Sequence, residues 1–381
     1  MLRTRLHVCL YLLLVVGIVT QAVQAETPKS SPSPFAKVVL AHFEKWDLNH
    51  NGILEPEELD RLVTKRSIHG DAAAALGTLK SIQRRGKFNL PKLDIEYFNT
   101  YARLAGEKKL KGQPPFEGQF NAARKRIAAS DRVVFPPGQP SLTAIHQGSL
   151  GDCFFIAGLG SMLARDPASI KQLITLQKNG DYAVHFPGTK TIVVAPLTDA
   201  ELALTSTTEG HGLWLNLLEK AYGQLRNESL QDDKKTLCAT DAICKGGSPR
   251  VVLQDLTAHQ AKRMDLHPTL KVPVPAEKIA EELHQLLVNT IRARRLLCAD
   301  TLSEQKGKNL PSHHAYAVLN YDGKTRTIYL FNPHGNTFEP KGEPGLKNGY
   351  STKQGRFAMP LTEFIECYSN LFYETGEQLK K

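Results

Sequence analysis

The sequence predicts an α+β protein in which a small all-helical head precedes a larger unit with a helical first half and a β-rich second half. Three observations carry this. Apolar residues at helical spacing flank a twelve-residue, oxygen-rich loop that follows Trp46. Residues 106–115, with three lysines, glycines and Pro114-Pro115, break the chain. Beyond them, helical periodicity gives way after Arg294 to β-rich runs joined by Gly-containing turns. The expected parts are residues 1–25, 26–110 and 116–381.

Residues 1–25 read as a secretory signal peptide. Arg3, Arg5 and His7 make a basic start, residues 8–19 are almost wholly apolar, and Ala22-Val23-Gln24-Ala25 is a small-residue cleavage site. The apolar run is shorter than the roughly 20 residues that span a bilayer, so no stable membrane anchor is expected. The mature protein is expected in a periplasm or outside the cell. Removal of Arg3 and Arg5 leaves 46 basic against 38 acidic residues. The basic residues are scattered and lack interleaved aromatics, which reads as a solvated surface and not a nucleic-acid site. Five cysteines remain: Cys153, Cys238, Cys244, Cys298 and Cys367. An odd count leaves one thiol unpaired; if that is Cys153, the other four can make two bridges.

Within the head, residues 35–46 carry a helical pattern, and residues 47–58 fit the EF-hand calcium loop. Asp47, Asn49 and Asn51 supply side-chain oxygens at positions 1, 3 and 5, and Gly52 makes the turn at 6. Ile53 offers its carbonyl at 7, Glu55 stands at the water-mediated position 9, and Glu58 is the bidentate ligand at 12. Two neutral amides among the early ligands favour weaker Ca²⁺ binding, suited to a calcium-rich exterior. Residues 81–92 have a glycine and an apolar residue in the same register. Arg85 and Lys92 replace ligands there, so this second loop is expected to be a structural partner without metal.

In the larger unit, Gln147-Gly148-Ser149-Leu150-Gly151-Asp152-Cys153 leads into Phe155, Leu159 and Met162, an apolar helical face. Gly148 and Gly151 allow a sharp turn through positive φ. Asp152 stands at the N-cap, which puts Cys153 in the first helical turn, where N–H groups and the helix dipole favour thiolate. Gln147 is placed to donate its side-chain amide toward an oxyanion. Taken alone, this stretch also fits a buried structural cysteine behind a capping aspartate. Residues 182–186 and 191–194 read as strands. Residues 214–222 read as a core helix in which Glu219 and Lys220 need no catalytic role, and residues 276–294 as a long helix.

Two β-rich runs flank Asp322-Gly323. His314 and Asn332 are each nine residues from Gly323. A three-residue turn sets them on one side of the sheet, whereas a two-residue turn separates them unless a bulge restores the register. Alternation turns His313 to the opposite face. A histidine taking the thiol proton and a neutral asparagine orienting its ring are what a cysteine nucleophile requires.

Gln-Gly-x-Leu-Gly-Asp-Cys-aromatic-Phe, the helix Trp214-Leu-Asn-Leu-Leu-Glu-Lys-Ala-Tyr222, Gly246-Gly247-Ser248, His314-Ala-Tyr-Ala-Val318 and Asn332-Pro-His-Gly335 together resemble the calpain family of papain-like cysteine peptidases. The resemblance implies a papain-like fold of a helical lobe and an antiparallel β lobe with substrate between them. It implies Cys153 as nucleophile, His314 as acid/base, Asn332 as orienting group, and Gln147 with the Cys153 N–H as oxyanion donors. The implied activity is cysteine endopeptidase action on protein or peptide substrates; the alternative is an inactive calcium-binding interaction module of the same fold, and a third possibility is acyl transfer. Phe154 and His334 stand where the family has tryptophan, and His313 where it has glycine. No acidic cluster matches the calcium sites of the family's protease core.

Overall fold

The computed structural model describes residues 33–85, 90–107, 110–268 and 275–380. The predicted signal peptide and residues 86–89 of the second loop lie outside the described residues. The head comprises α1 (Pro34–Trp46), α2 (Pro56–Val63), α3 (Gly70–Arg85) and α4 (Ile95–Gly106). Ser33 caps α1 by accepting from the Ala36 N–H at 2.9 Å. The first loop, between α1 and α2, bridges antiparallel to the segment before α4: Ile53 opposes Asp94, and the Leu54 N–H donates to the Leu93 carbonyl at 3.0 Å.

The second loop starts later than the sequence suggests. Ser81–Arg85 are the last residues of α3, because Leu76, Leu79 and Ile82 continue one buried stripe into the core. Its contact with the first loop falls at Leu93 and Asp94. Asp94 also caps α4 by accepting from the Tyr97 N–H.

The break at 106–115 is not a break in packing. The following helix, α5 (Phe116–Ala129), sends Phe116 and Phe120 into the head, where the Phe35 and Phe116 rings stack at 4.7 Å. The same core takes in Ala200, Ala203 and Leu204 from further along the chain. Head and larger unit therefore share buried apolar surface, the dominant cohesive term in folding.

The larger unit continues with α6 (Cys153–Arg165), α7 (Pro167–Gln172), and the small antiparallel sheet β1 (Ile174–Leu176), β2 (Tyr182–His185) and β3 (Thr191–Val194). Next come α8 (Asp199–Leu204), α9 (Trp214–Glu228), α10 (Pro249–Thr257), β4 (His259–Asp265), α11 (Ala276–Arg292) and β5 (Leu297–Thr301). The chain ends with β6 (Ala315–Asp322), β7 (Thr327–Phe331), β8 (Arg356–Pro360), α12 (Leu361–Cys367) and β9 (Tyr368–Gln378). Six strands form one antiparallel sheet in the order β4-β9-β5-β6-β7-β8. One face, with Cys298, Ala315, Ala317 and Phe331, packs on α6 and α10. The other, with Leu297, Ala299, Tyr316 and Val318, packs on Leu283 and Leu287 of α11 and Phe364 of α12. Burial on both faces explains the unbroken apolar run Ala315–Val318.

All five described cysteines are free, so the two expected bridges are not present. Cys298 faces the α6 core and Cys367 lies in the cluster on the other side of the sheet. Among the described residues, no helix is long and apolar enough to cross a membrane.

Candidate active site

Glycine matters before Cys153 through close approach, not through positive φ. Neither Gly148 nor Gly151 has a left-handed backbone. A Cβ at Gly151 would stand 2.3 Å from the Cys244 carbonyl oxygen, and one at Gly148 2.3 Å from that of Thr205. Gly151 instead donates its N–H to Cys244 at 3.1 Å, tying the loop to the far wall of the cleft. Asp152 occupies the N-cap position, but its side chain caps nothing. It is fully buried, and its Oδ1 accepts from Gln147 Nε2 at 3.2 Å. Gln147 Nε2 also donates to the Leu150 carbonyl at 2.8 Å, so both its protons are engaged and its side chain must swing to reach an oxyanion.

Glu219 of α9, buried in the core as its helix predicts, lies behind Asp152. Glu219 accepts from the Ser206 hydroxyl at 2.7 Å and from the Ser206 N–H at 3.0 Å. Burial raises both carboxyls above the usual range, and the Asp152 charge pushes Glu219 further. The protonated form of Glu219 is thereby favoured, and its carboxyl is the neighbouring group that can donate to Asp152 Oδ2, which has no other partner among the described residues.

Cys153 is the first residue of α6 and half-buried. The N–H groups of Ala315 and Phe154 favour its thiolate and act to lower its pKa. Burial nevertheless wins over the helix terminus: with Asp152 and Asp300 adding negative charge nearby, the thiol is pushed up to about 11. The expected thiolate is thus a neutral thiol in this conformation.

The histidine and asparagine meet on the sheet by way of a bulge. Asp322 pairs with Thr327, and the register slips between Val318 and Asn320 before Ala317 pairs with Phe331. The slip restores the parity that the longer turn would have lost, so His314 and Asn332 share a face. His314 Nε2 and Asn332 Oδ1 are 2.8 Å apart, both residues being buried. The same oxygen accepts from the His334 N–H at 3.0 Å, and Asn332 Nδ2 donates to Asn336 Oδ1 at 3.1 Å. A backbone N–H can only donate, so the shared atom is the oxygen, and His314 must carry its proton on Nε2. Nδ1 is left as the basic atom. Burial, then the charge of His334, lowers the His314 pKa to about 3. His334 covers the imidazole, its ring centroid 4.3 Å away, in the place where the resemblance has an indole. Tyr316 meets the His314 ring edge-on at 5.1 Å.

Cys153, His314, Gln147 and His334 line one open cleft of about 700 Å³, with Gly246, Gly247 and Asp300 on its walls. No hydrogen bond joins the Cys153 sulfur to the His314 ring among the described residues. His313, expected on the opposite face, lines the same cleft, because it precedes the start of β6 and has a left-handed backbone (φ 50°); among the described residues no hydrogen bond joins it to Asn332. Asn336 and Asp300 escape the sequence reading. Asn336 follows the Asn332 motif by four residues, a spacing that signals nothing by itself; Asp300 shows only as a charge inside an apolar strand.

The head's loop gathers its expected ligands inward. Asp47 accepts from the Asn51 and Gly52 N–H groups at 3.1 and 2.7 Å, and Gly52 is left-handed at φ 81°. Glu58 accepts from Leu48 at 2.6 Å and from Glu55 at 2.8 Å, and Asn49 Nδ2 reaches Glu55 at 2.9 Å. Asp47 and Glu58 are buried, and among the described residues no cationic side chain pairs with either. Among the described residues, no cluster of three His, Cys, Asp or Glu side chains forms a metal site. The loop's donors are instead carboxylate, amide and carbonyl oxygens, a set that fits a hard cation.

A cysteine heading a helix, facing a sheet that carries a histidine bonded to asparagine, is an α+β arrangement consistent with a papain-like core. Residues 107–372 match the model of calpain family cysteine proteases, and the chain belongs to that family. It is similar to rat calpain-8, 26% identical over 276 residues, covering 62% of this chain and 36% of the relative. Human calpain-2 catalytic subunit is 26% identical over 270 residues, covering 61% and 36%. A calpain of Schistosoma mansoni is 25% identical over 331 residues, covering 72% and 40%. The chain thus spans well under half the length of these relatives.

Proposed function

We propose that this chain is an exported cysteine endopeptidase that hydrolyses peptide bonds through Cys153, His314 and Asn332, with Ca²⁺ held in the N-terminal EF-hand loop. The observation that carries this is the Asn332 bond, which fixes the His314 proton on Nε2 and leaves Nδ1 free in the cleft that Cys153 also lines. Nδ1 takes the thiol proton as the sulfur attacks the scissile carbonyl carbon. The oxyanion is met by the Cys153 N–H and, once turned, by Gln147 Nε2. Nδ1–H then protonates the leaving amine, and water hydrolyses the thioester by the same proton path in reverse. Incubation with casein and a thiol-reactive epoxide tests this. Cleavage with label on Cys153 is expected; intact casein and an unlabelled Cys153 would overturn it.

A second reading is a catalytically inactive calcium-binding module of the same fold. It is favoured by the neutral thiol, the missing sulfur–imidazole bond and His334 in the shielding place. Retention of the biological role by Cys153→Ala would select it. For calcium, Asp47, Asn49, Asn51, Glu55 and Glu58 side chains and the Ile53 carbonyl are the proposed ligands. Bound calcium would neutralise the two buried carboxylates. At a hundredfold excess over Kd it stabilises by about 2.7 kcal/mol, so Glu58→Gln is expected to abolish a calcium-dependent rise in Tm.

A further inference from the structure

Asp300 is a cleft carboxyl that the proposed chemistry does not use. Along β5, Leu297 and Ala299 enter the core on the α11 side, while Cys298 faces α6. Alternation therefore turns Asp300 to the cleft face. In register it opposes Ala315, the residue after His314, and Cys153 lines the same cleft. Asp300 also lines the adjoining hollow with Gly247, Ser248, Asn370 and Tyr373. The half-buried carboxyl has no hydrogen-bond or ion-pair partner among the described residues; only its backbone carbonyl is used, by Ser369 at 3.1 Å. Asp199, Asp241 and Glu374, also withdrawn from solvent, each have a cation: Arg132 on Asp199, Lys80 and Arg84 on Asp241, Arg165 and Arg295 on Glu374.

We propose that Asp300 is a specificity residue, selecting peptides that place a lysine or arginine side chain in the pocket beside Cys153; this rests on the peptidase reading above. A substrate ammonium or guanidinium supplies the donors the carboxyl lacks, in a charge-assisted bond. Exposed Arg250, Lys262 and Arg263 border the outer hollow, so the preference for a cation is confined to the position that meets Asp300. Burial holds the free carboxyl at a pKa of about 7, and its charge is one of the causes raising the Cys153 thiol. A cation bound there favours ionised Asp300 and relieves that pressure on the thiol.

The test is a peptide series with lysine or norleucine at each position flanking the scissile bond. One position is expected to favour lysine by about 10- to 100-fold in kcat/KM at pH 8. That ratio should shrink below pH 6, where Asp300 is protonated, and collapse in Asp300→Asn. The same peptides are titrated against Cys153→Ala, which requires no turnover. Tighter lysine binding that Asp300→Asn removes supports the assignment; equal binding of both peptides, or a lysine preference that survives Asp300→Asn, overturns it. Failure of hydrolysis with lysine-selective binding intact would count against the peptidase reading alone.

Discussion

Replacing Glu219 separates the two roles of its carboxyl, shape and proton. In Glu219→Ala, Asp152 Oδ2 loses the neighbouring carboxyl that can donate to it, and the Ser206 N–H and hydroxyl lose their acceptor. An uncompensated buried carboxylate costs about 3–5 kcal/mol. In Glu219→Gln, the amide can donate to Asp152 while its oxygen still accepts from Ser206, so the change should stay within about 1 kcal/mol at pH 5. The pH dependence gives the sharper contrast. The folded pKa of Glu219 is raised above its unfolded value, mainly by burial and then by Asp152. The stability it contributes is fully present below the unfolded carboxyl pKa and is lost as pH rises through the folded pKa. Glutamine has no proton to lose, so the variant should gain on the parent between pH 5 and 9. Urea unfolding at pH 5, 7 and 9 measures this. Equal losses in the two variants, or parallel pH profiles for parent and Glu219→Gln, would refute the shared-proton pair.

Cys153 in the substrate-free protein should react with iodoacetamide at a rate that climbs steeply above pH 9, following a thiol at about 11; a rate already level by pH 8 would show that a thiolate forms at rest. Asn336→Ala removes the bond to Asn332 Nδ2 and should lower kcat roughly 3- to 10-fold with little change in KM, as expected for one side-chain hydrogen bond. Asp241→Asn weakens the anion shared by buried Lys80 and Arg84 and should cost about 3 kcal/mol in denaturant unfolding. His314 has a folded pKa depressed to about 3, so its contribution to stability is present above pH 6.5 and lost as pH falls toward 3. His314→Gln should flatten that part of the acid-unfolding curve.

Helices and strands with regular apolar spacing were legible in the sequence because one buried face imposes the period: β3 spans Thr191–Val194 as read, and α9 begins at Trp214. The pairing of His314 with Asn332 was legible only as a set of options, since it depends on a bulge near Leu319 that no turn residue announces. Local chemistry misled at Asp152 and Cys153. A capping aspartate and a dipole-stabilised thiolate are sound expectations for a solvated helix end. This end is buried against Glu219 and Ala315, and burial outweighs the dipole. The boundary at 106–115 was equally local: Pro-Pro interrupts the backbone, while Phe116 carries the core across it.

That shared core has a consequence for how the molecule can be cut. Asp60, on α2 after the first loop, reaches Lys80, which together with Arg84 holds Asp241; from there the chain runs three residues to Cys244, the acceptor for Gly151 two residues before Cys153. A protease trimmed to its family-matched segment would begin near residue 107, bare Ala200, Ala203 and Leu204 to water, and leave Asp241 without its two cations. The helical head is therefore tied by packing and ion pairs to the segment that Gly151 bonds to, so cutting the head away would disturb the support behind Cys153.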